Sequence, residues 1–339
     1  MTAKNPFIFV TPENSDEVSG GNLYNTGLQN SLQNLRDLRC LDLAQWQNEE
    51  PRAGVYLIDT LHLAEFEKML SRRVPGQRFV LLVHHLPSLE PGLAPDDPAR
   101  LAETRVIAHF DAYLATSQFT SQLIRSRGYG ERVITIEPPL PANDAGAKDY
   151  LGPVRALMAC NLIPRKGVLE FLEALSAAIG EHDRFRLDIV GRTDPDANYG
   201  LRCADTVAAH VQLSERVKLR GFSPYGDMRG WFEGANLFAS ASRMETFGIA
   251  LQEARHFGLP ILTVQGGNSA THVEPGVTGE FFSCPTRLAR GFIKLVRDEQ
   301  QLSRYYANAQ RSRPAATETW AEAAARFVSK IDSWFPVQG

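Results

Sequence analysis

Two glutamates eight positions apart, Glu245 and Glu253, flank Thr246-Phe247-Gly248-Ile249, where a short apolar run gives way to a helical pattern. With a helix beginning near Phe247, a rise of about 1.5 Å per residue sets the two carboxylates on the order of 10 Å apart. Glycosidase carboxylates lie roughly 5–9.5 Å apart, so this wider pair suits two contacts on one extended ligand. The backbone N–H groups of Phe247, Gly248 and Ile249 would open the helix, and a helix start holds phosphate through unpaired amides and its dipole. Taken singly, each glutamate is an ordinary loop or helix-surface carboxylate. The spacing around a helix start is what suggests an anion gripped between them.

Three further segments carry chemistry. Asn161-Leu162-Ile163-Pro164-Arg165-Lys166-Gly167-Val168 puts two cations at a strand-to-helix turn, where they could neutralise charge that grows on a leaving phosphate. A plain helix-capping turn explains the same residues. Ser19-Gly20-Gly21-Asn22 joins a strand to a helix, and its glycines would let backbone amides approach a phosphate or a sugar. An apolar strand ends in His84-His85-Leu86-Pro87, and side chains at such an end point toward the ligand crevice of an open α/β sheet. His84 is the expected functional member, with His85 next in line. Gly191-Arg192-Thr193-Asp194 borders a donor pocket or forms a simple turn, and His256 and His272 have no metal-like partners.

These segments sit on alternating strands and helices, the pattern of parallel sheets covered on both faces, so the fold class is α/β. Strands are expected at Pro6–Val10, Leu38–Leu43, Val55–Ile58, Arg78–Val83, Ala112–Ala115 and Val133–Ile136. The alternation restarts with strands at Val154–Ala159, Phe185–Val190, Val217–Arg220, Asn236–Ala239, Ile261–Val264 and Gly279–Phe282. Helices are expected at Val168–Ile179, Leu201–Leu213, near Asp227–Trp231, at Phe247–Phe257 and at Thr286–Arg297. A polar stretch containing Asn143-Asp144-Ala145-Gly146 divides the halves, giving domains 1–148 and 149–316, with a helix at 317–335 expected to pack back on the first. The ligand crevice is expected between the strand ends of the two sheets.

A length of 339 residues is enough for two domains. A 43% hydrophobic and 22% charged composition excludes a disordered or collagen-like chain. The formal charge of −3 gives no electrostatic case for nucleic acid or an anionic membrane. Cys40, Cys160, Cys203 and Cys284 are scattered without CxxC spacing, so no metal knuckle or disulfide framework is indicated and a cytoplasmic location is expected. No apolar stretch is long enough to span a bilayer, which leaves membrane contact peripheral at most.

The block from Ser242 to Ala254 resembles the Glu-x7-Glu signature of retaining GT-B glycosyltransferases, in particular glycosyltransferase family four. Asn236 to Arg243 is similar to the strand and loop that precede that signature, Ala254 to Pro260 to its helix exit, and Gly266-Gly267 to its following glycine pair. The resemblance implies two Rossmann-like domains facing each other across a cleft. It implies transfer of a sugar from a nucleotide diphosphate sugar, UDP-linked first and GDP-linked second, with retention and without a metal or other cofactor. The acceptor would be an unidentified glycan, lipid or small molecule.

Carried over, the family roles place Glu245 on the transferred sugar, Thr246, Phe247, Gly248 and Ile249 on the diphosphate, and Glu253 on the ribose. Lys166 and Arg165 would meet the diphosphate, Gly20 and Gly21 match the family's first-domain glycine loop, and His84 would stand near the anomeric region. The catalytic set so implied is His84, Glu245 and Lys166. Asn161 departs from the pattern, since the family carries an arginine there. The same fold also hosts nucleotide-sugar epimerases and catalytically silent relatives.

Overall fold

The computed structural model describes residues 5–11, 19–140, 149–150 and 152–336. Asn143 to Gly146 of the expected boundary lie outside the described residues. Residues 1–141 together with 317–339 form one compact unit, and 142–316 form another.

The first unit is built on six parallel strands, β1 (Phe7–Val10), β2 (Leu38–Leu41), β3 (Gly54–Asp59), β4 (Gln77–Val83), β5 (Ala112–Ala115) and β6 (Val133–Thr135), in the order β2-β1-β3-β4-β5-β6. The inner strands β1, β3, β4 and β5 are buried almost throughout because helices cover both faces. Phe7 and Phe9 of β1 pack with Tyr24, Leu28 and Phe327 on one side, and Ile8 and Val10 pack with Phe66 and Phe79 on the other. The helix Trp320–Trp334 completes the first of these cores. Thr319 and Glu322 cap it reciprocally, and Ala323, Ala324, Phe327, Val328 and Ile331 form its buried stripe. Phe327 meets Phe7 edge to face at 6.1 Å.

The second unit has strands β7 (Val154–Ala159), β8 (Phe185–Val190), β9 (Val217–Gly221), β10 (Leu237–Ser240), β11 (Ile261–Val264) and β12 (Gly279–Phe282), all parallel, in the order β12-β11-β10-β7-β8-β9. One apolar core lies on each face. The edge strand β9 turns Lys218 and Arg220 to solvent, which discourages pairing with another chain.

Two helix assignments are corrected. The single helix expected at Leu201–Leu213 is two, Ala197–Ala208 and Val211–Arg216, separated at His210, whose extended backbone (φ −122°, ψ 113°) redirects the chain. That break lets Leu213 reach the core. A further helix, Glu299–Arg311, is not evident in the sequence because its buried stripe of Leu302, Tyr305, Tyr306 and Ala309 is thinly spread among polar residues. Its signal was Asp298, which caps the Gln301 amide at 2.9 Å.

Candidate active site

In the second unit the direction of winding reverses between the neighbouring strands β7 and β10, and in open α/β sheets ligands bind at the carboxyl ends of such a pair. Lys166 follows β7 and Glu245 follows β10. Although 79 positions apart, they form an ion pair with Lys166 Nζ 2.5 Å from Glu245 Oε1. The backbone brings them together. The Arg243 amide donates to the Arg165 carbonyl at 3.0 Å. Gly167 adopts a left-handed conformation (φ 64°) so close to the other loop that a Cβ would stand 2.4 Å from the Ala241 carbonyl oxygen. Gly267 (φ 60°) does the same beneath Glu245, where a Cβ would lie 2.2 Å from the Glu245 carbonyl oxygen. Only glycine meets both demands at these two turns.

The Glu245 side chain is largely buried, and burial pushes its carboxyl up. The charge and hydrogen bond of Lys166, then Arg165 and the Ser242 hydroxyl, outweigh this and hold it below the ordinary carboxylate range. Glu245 is therefore a carboxylate at neutral pH, and no proton donor.

The helix beyond it starts later than the sequence suggests. Gly248 takes φ 90° as the N-cap, the helix runs Ile249–His256, and no side chain caps this end. The first intrahelical bond is Gln252 N–H to the Gly248 carbonyl, at 2.9 Å, so the unclaimed amides belong to Ile249 and the residues just after it. Phe247 is not part of the helix. Its ring is buried, and its carbonyl accepts from His272 Nε2 at 2.7 Å and from Asn268 Nδ2 at 2.9 Å. These bonds pin the turn in which Thr246 and Gly248 sit.

Glu253 projects from the second turn of that helix, beside the Tyr225 hydroxyl. Burial drives this carboxyl up to about 7, with the Tyr225 hydroxyl opposing. Asn161 does not take the place of a cation. Its side-chain oxygen accepts from the Arg192 amide at 3.1 Å, and the Leu162 amide donates to the Arg192 carbonyl at 2.8 Å, so it brackets the loop after β8. Arg192 in turn binds Asp194, with Nε 3.0 Å from Oδ1.

In the first unit the winding reverses between β1 and β3. Gly20 and Gly21 open the helix Gly20–Leu32, where the Ser19 hydroxyl caps the Asn22 amide at 3.1 Å. A Cβ on Gly21 would rest against the His84 ring at 3.7 Å. His84 Nε2 meets Asn25 Oδ1 at 2.8 Å, and Asn25 Nδ2 donates to the buried Asp59 at 3.1 Å. The amide orientation makes Nε2 the donor and leaves Nδ1 as an acceptor. Burial lowers the His84 pKa against the opposing pull of Asp59, so the ring is neutral at pH 7. His85 turns aside to Glu90, with Nε2 3.0 Å from Oε2.

Residues 146–312 match the model of the family described as glycosyl transferases group 1, a stretch covering nearly all of the second unit. The second unit is that of a group 1 glycosyl transferase. A D-inositol 3-phosphate glycosyltransferase of Catenulispora acidiphila is 28% identical over 269 residues, covering 71% of this chain and 61% of the relative. Another, from Thermobispora bispora, is 29% identical over 214 residues, 58% of this chain and 49% of the relative. The matched stretches span about half to three fifths of these relatives. Among solved structures, a sucrose-phosphate synthase from Thermosynechococcus elongatus superposes with a TM-score of 0.75 at 15% identity, covering 99% of this chain and 100% of that one. HepE of Anabaena, solved with UDP and glucose, gives 0.72 at 16% identity, covering 97% and 100%. The fold is GT-B.

Among the residues of this site, Asn25, Asp59, Tyr225 and Asn268 are absent from the sequence-based set, and His272, without a metal-like partner in the sequence, supports the turn at Phe247. Asn268 and His272 lie four apart directly after Gly266-Gly267, a spacing that aims both side chains one way along a helical turn. Burial drives the His272 pKa down to about 4, keeping the ring neutral as a donor to Phe247, and its Nδ1 is buried without a partner. Asn25 and Asp59 had no such local signal, because the contact between them spans 34 positions.

Proposed function

We propose that this protein is a retaining glycosyltransferase that moves a sugar from a nucleotide diphosphate sugar to an acceptor hydroxyl without a metal ion. One observation carries the proposal: Lys166 and Glu245, from the two strands at the winding reversal, meet beside a helix start that no side chain caps. A diphosphate fits that place chemically. The amides from Ile249 onward would receive its oxygens, Lys166 and Arg165 would supply counter-charge, and Glu253 would accept from ribose hydroxyls. UDP is the first candidate nucleotide and GDP the second, since HepE holds UDP in the same fold.

In the reaction the bond from the anomeric carbon to the phosphate oxygen breaks and positive charge spreads over the sugar ring. The acceptor oxygen attacks the face the phosphate leaves, and its proton passes to the departing diphosphate. Lys166 acts most strongly as the leaving group gains charge, so it lowers the barrier more than it tightens ground-state binding. Glu245, held ionised, would stabilise the cationic sugar. His84 is assigned to the sugar by family resemblance. No described helix is long and apolar enough to cross a membrane, and the four cysteines are free thiols; we place the reaction in the cytoplasm.

The test is a thermal-shift panel of UDP, GDP, ADP and TDP, followed by NMR of the product formed from the sugar nucleotide that binds. A nucleotide at about 100 times its dissociation constant stabilises by roughly 2.7 kcal/mol. One nucleotide should raise the Tm, Glu253→Ala should lose most of that rise, and the product should keep the anomeric configuration of the donor. A panel with no shift, or an inverted product, would refute the proposal.

A further inference from the structure

The second unit holds a cavity of about 150 Å³ to which none of the donor residues contributes. Its walls come from the end of the helix Ile249–His256, the start of β11, the 3-10 turn Asn268–His272 with the residues after it, and the end of the helix Glu299–Arg311. A cavity of that volume accommodates a six-atom ring, the size of a small organic molecule rather than of a nucleotide. Arg255 is half-buried in this wall. Its Nη1 donates to the Thr271 carbonyl at 3.2 Å, and among the described residues no group takes Nε or Nη2, the edge of the fork that matches both oxygens of a carboxylate. Glu274 lines the same cavity, and among the described residues it forms no ion pair with Arg255 or with any other cation. The remaining polar groups are acceptors. The Thr271 and Ser312 hydroxyls donate to the Asn268 and Asn308 carbonyls, both at 2.9 Å, and so present lone pairs. His272 uses Nε2 on Phe247, which leaves Nδ1 a buried acceptor without a partner. Leu259 and Ile261 add a buried apolar surface.

Opposite charges that line one cavity without neutralising each other are both met by a ligand that carries both signs. We infer that this cavity is an effector site for a small α-amino acid, with its carboxylate on the free edge of Arg255, its ammonium toward Glu274 and a short side chain against Leu259 and Ile261. Its occupancy bears on the donor site through one segment. Arg255 ties the 3-10 turn through Thr271, and the same turn carries Asn268 and His272, which hold the Phe247 carbonyl ahead of the uncapped helix start. A ligand that fixes Arg255 braces that turn and removes part of the ordering cost of binding a diphosphate beside it. The effect on the donor, though not the binding of the amino acid, rests on the donor reading above.

Calorimetric titration at pH 8 with L-alanine, propionate and ethylamine dissects the site, since propionate lacks the ammonium and ethylamine the carboxylate. Alanine should bind, ethylamine should bind at least about tenfold more weakly, and propionate about threefold more weakly, because Glu274 is exposed. Arg255→Gln should weaken alanine at least about tenfold and, since glutamine can still donate to Thr271, leave UDP within about threefold. Glu274→Gln should bring alanine down to the level of propionate and leave propionate as in the wild type. Saturating alanine should tighten UDP about fivefold in the wild type and have no such effect in Arg255→Gln. Failure of alanine to bind, or propionate binding as tightly as alanine, would overturn the amino-acid site, and alanine binding with unchanged UDP affinity would overturn its role as effector. A wild-type protein that binds alanine but not UDP would remove the donor reading, and the effector role with it, while the amino-acid site stands.

Discussion

Replacing Glu253 by glutamine should stabilise the ligand-free protein and weaken its ligand binding, with both effects set by pH. The Glu253 carboxyl is driven up from an ordinary 4.5 to about 7. Between those values the folded protein holds a proton that the unfolded chain has released, so stability falls as pH rises through this window. By pH 8 the folded carboxyl has ionised against its surroundings, which costs about 3 kcal/mol in the fully sealed limit and on the order of 1–3 kcal/mol for a side chain with some solvent contact. Glutamine has the same shape and no charge to expose. Glu253→Gln should therefore melt roughly 5 °C above wild type at pH 8, and less than about 1 kcal/mol should separate the two at pH 5. Binding should run the other way. The carboxylate accepts from two ribose hydroxyls only when ionised, so wild-type affinity for UDP should be about tenfold lower at pH 6 than at pH 8, whereas the variant binds weakly and without pH dependence. Thermal melts at the two pH values and calorimetry with UDP test both arms. A variant no more stable than wild type at pH 8, or one whose advantage is the same at pH 5, would refute the electrostatic reasoning.

Three other perturbations bear on the site. Lys166→Ala leaves the Glu245 carboxylate buried without its partner and should cost about 3–5 kcal/mol of stability, with a loss of roughly 10²–10³ in kcat for sugar transfer; denaturant titration and steady-state kinetics measure these, and a variant of normal kcat would remove Lys166 from the chemistry. Gly267→Ala should displace the Glu245 segment, because its Cβ would lie 2.2 Å from a carbonyl oxygen, so melting temperature and transfer activity should fall together, and unchanged values for both would show that the turn is not fixed as described. His84→Ala should abolish transfer while leaving the UDP-induced rise in Tm within about 1 °C, since the ring belongs to the first unit; loss of UDP binding would contradict its assignment to the sugar.

The sheets were legible because parallel strands buried on both faces read as short apolar runs, and each observed strand falls within two residues of its expected ends. Helix limits were harder where the backbone, rather than periodicity, decides. Phe247 has the apolar character of a first helical residue, yet the left-handed turn at Gly248 excludes it from the helix and turns its carbonyl to Asn268 and His272. The contacts that set electrostatics were least legible. The Lys166–Glu245 pair depends on two loops pressed together at Gly167, and Tyr225 reaches Glu253 from a helix 28 positions upstream. Neither contact leaves a local pattern, because long-range placement follows from sheet order.

The two glutamates of the signature share one helix start and occupy opposite electrostatic states. Glu245 is held ionised by a cation at 2.5 Å, and Glu253 is pushed toward neutrality by burial with only a tyrosine hydroxyl beside it. Environments that push two carboxyl groups apart assign them different work. Glu245 already carries its negative charge and is engaged by Lys166, which suits it to stabilise a cationic sugar and makes it a poor covalent nucleophile while that contact lasts. A diphosphate arriving at Ile249 would compete for the same ammonium. The charge that Lys166 withdraws from Glu245 is the charge it lends to the leaving group, so the pair would link donor binding to a freer carboxylate next to the transferred sugar. Glu253 lies a further turn along the helix and has no such competitor. Its proton leaves more readily when a stronger set of donors than the Tyr225 hydroxyl faces it, and a ribose diol supplies two.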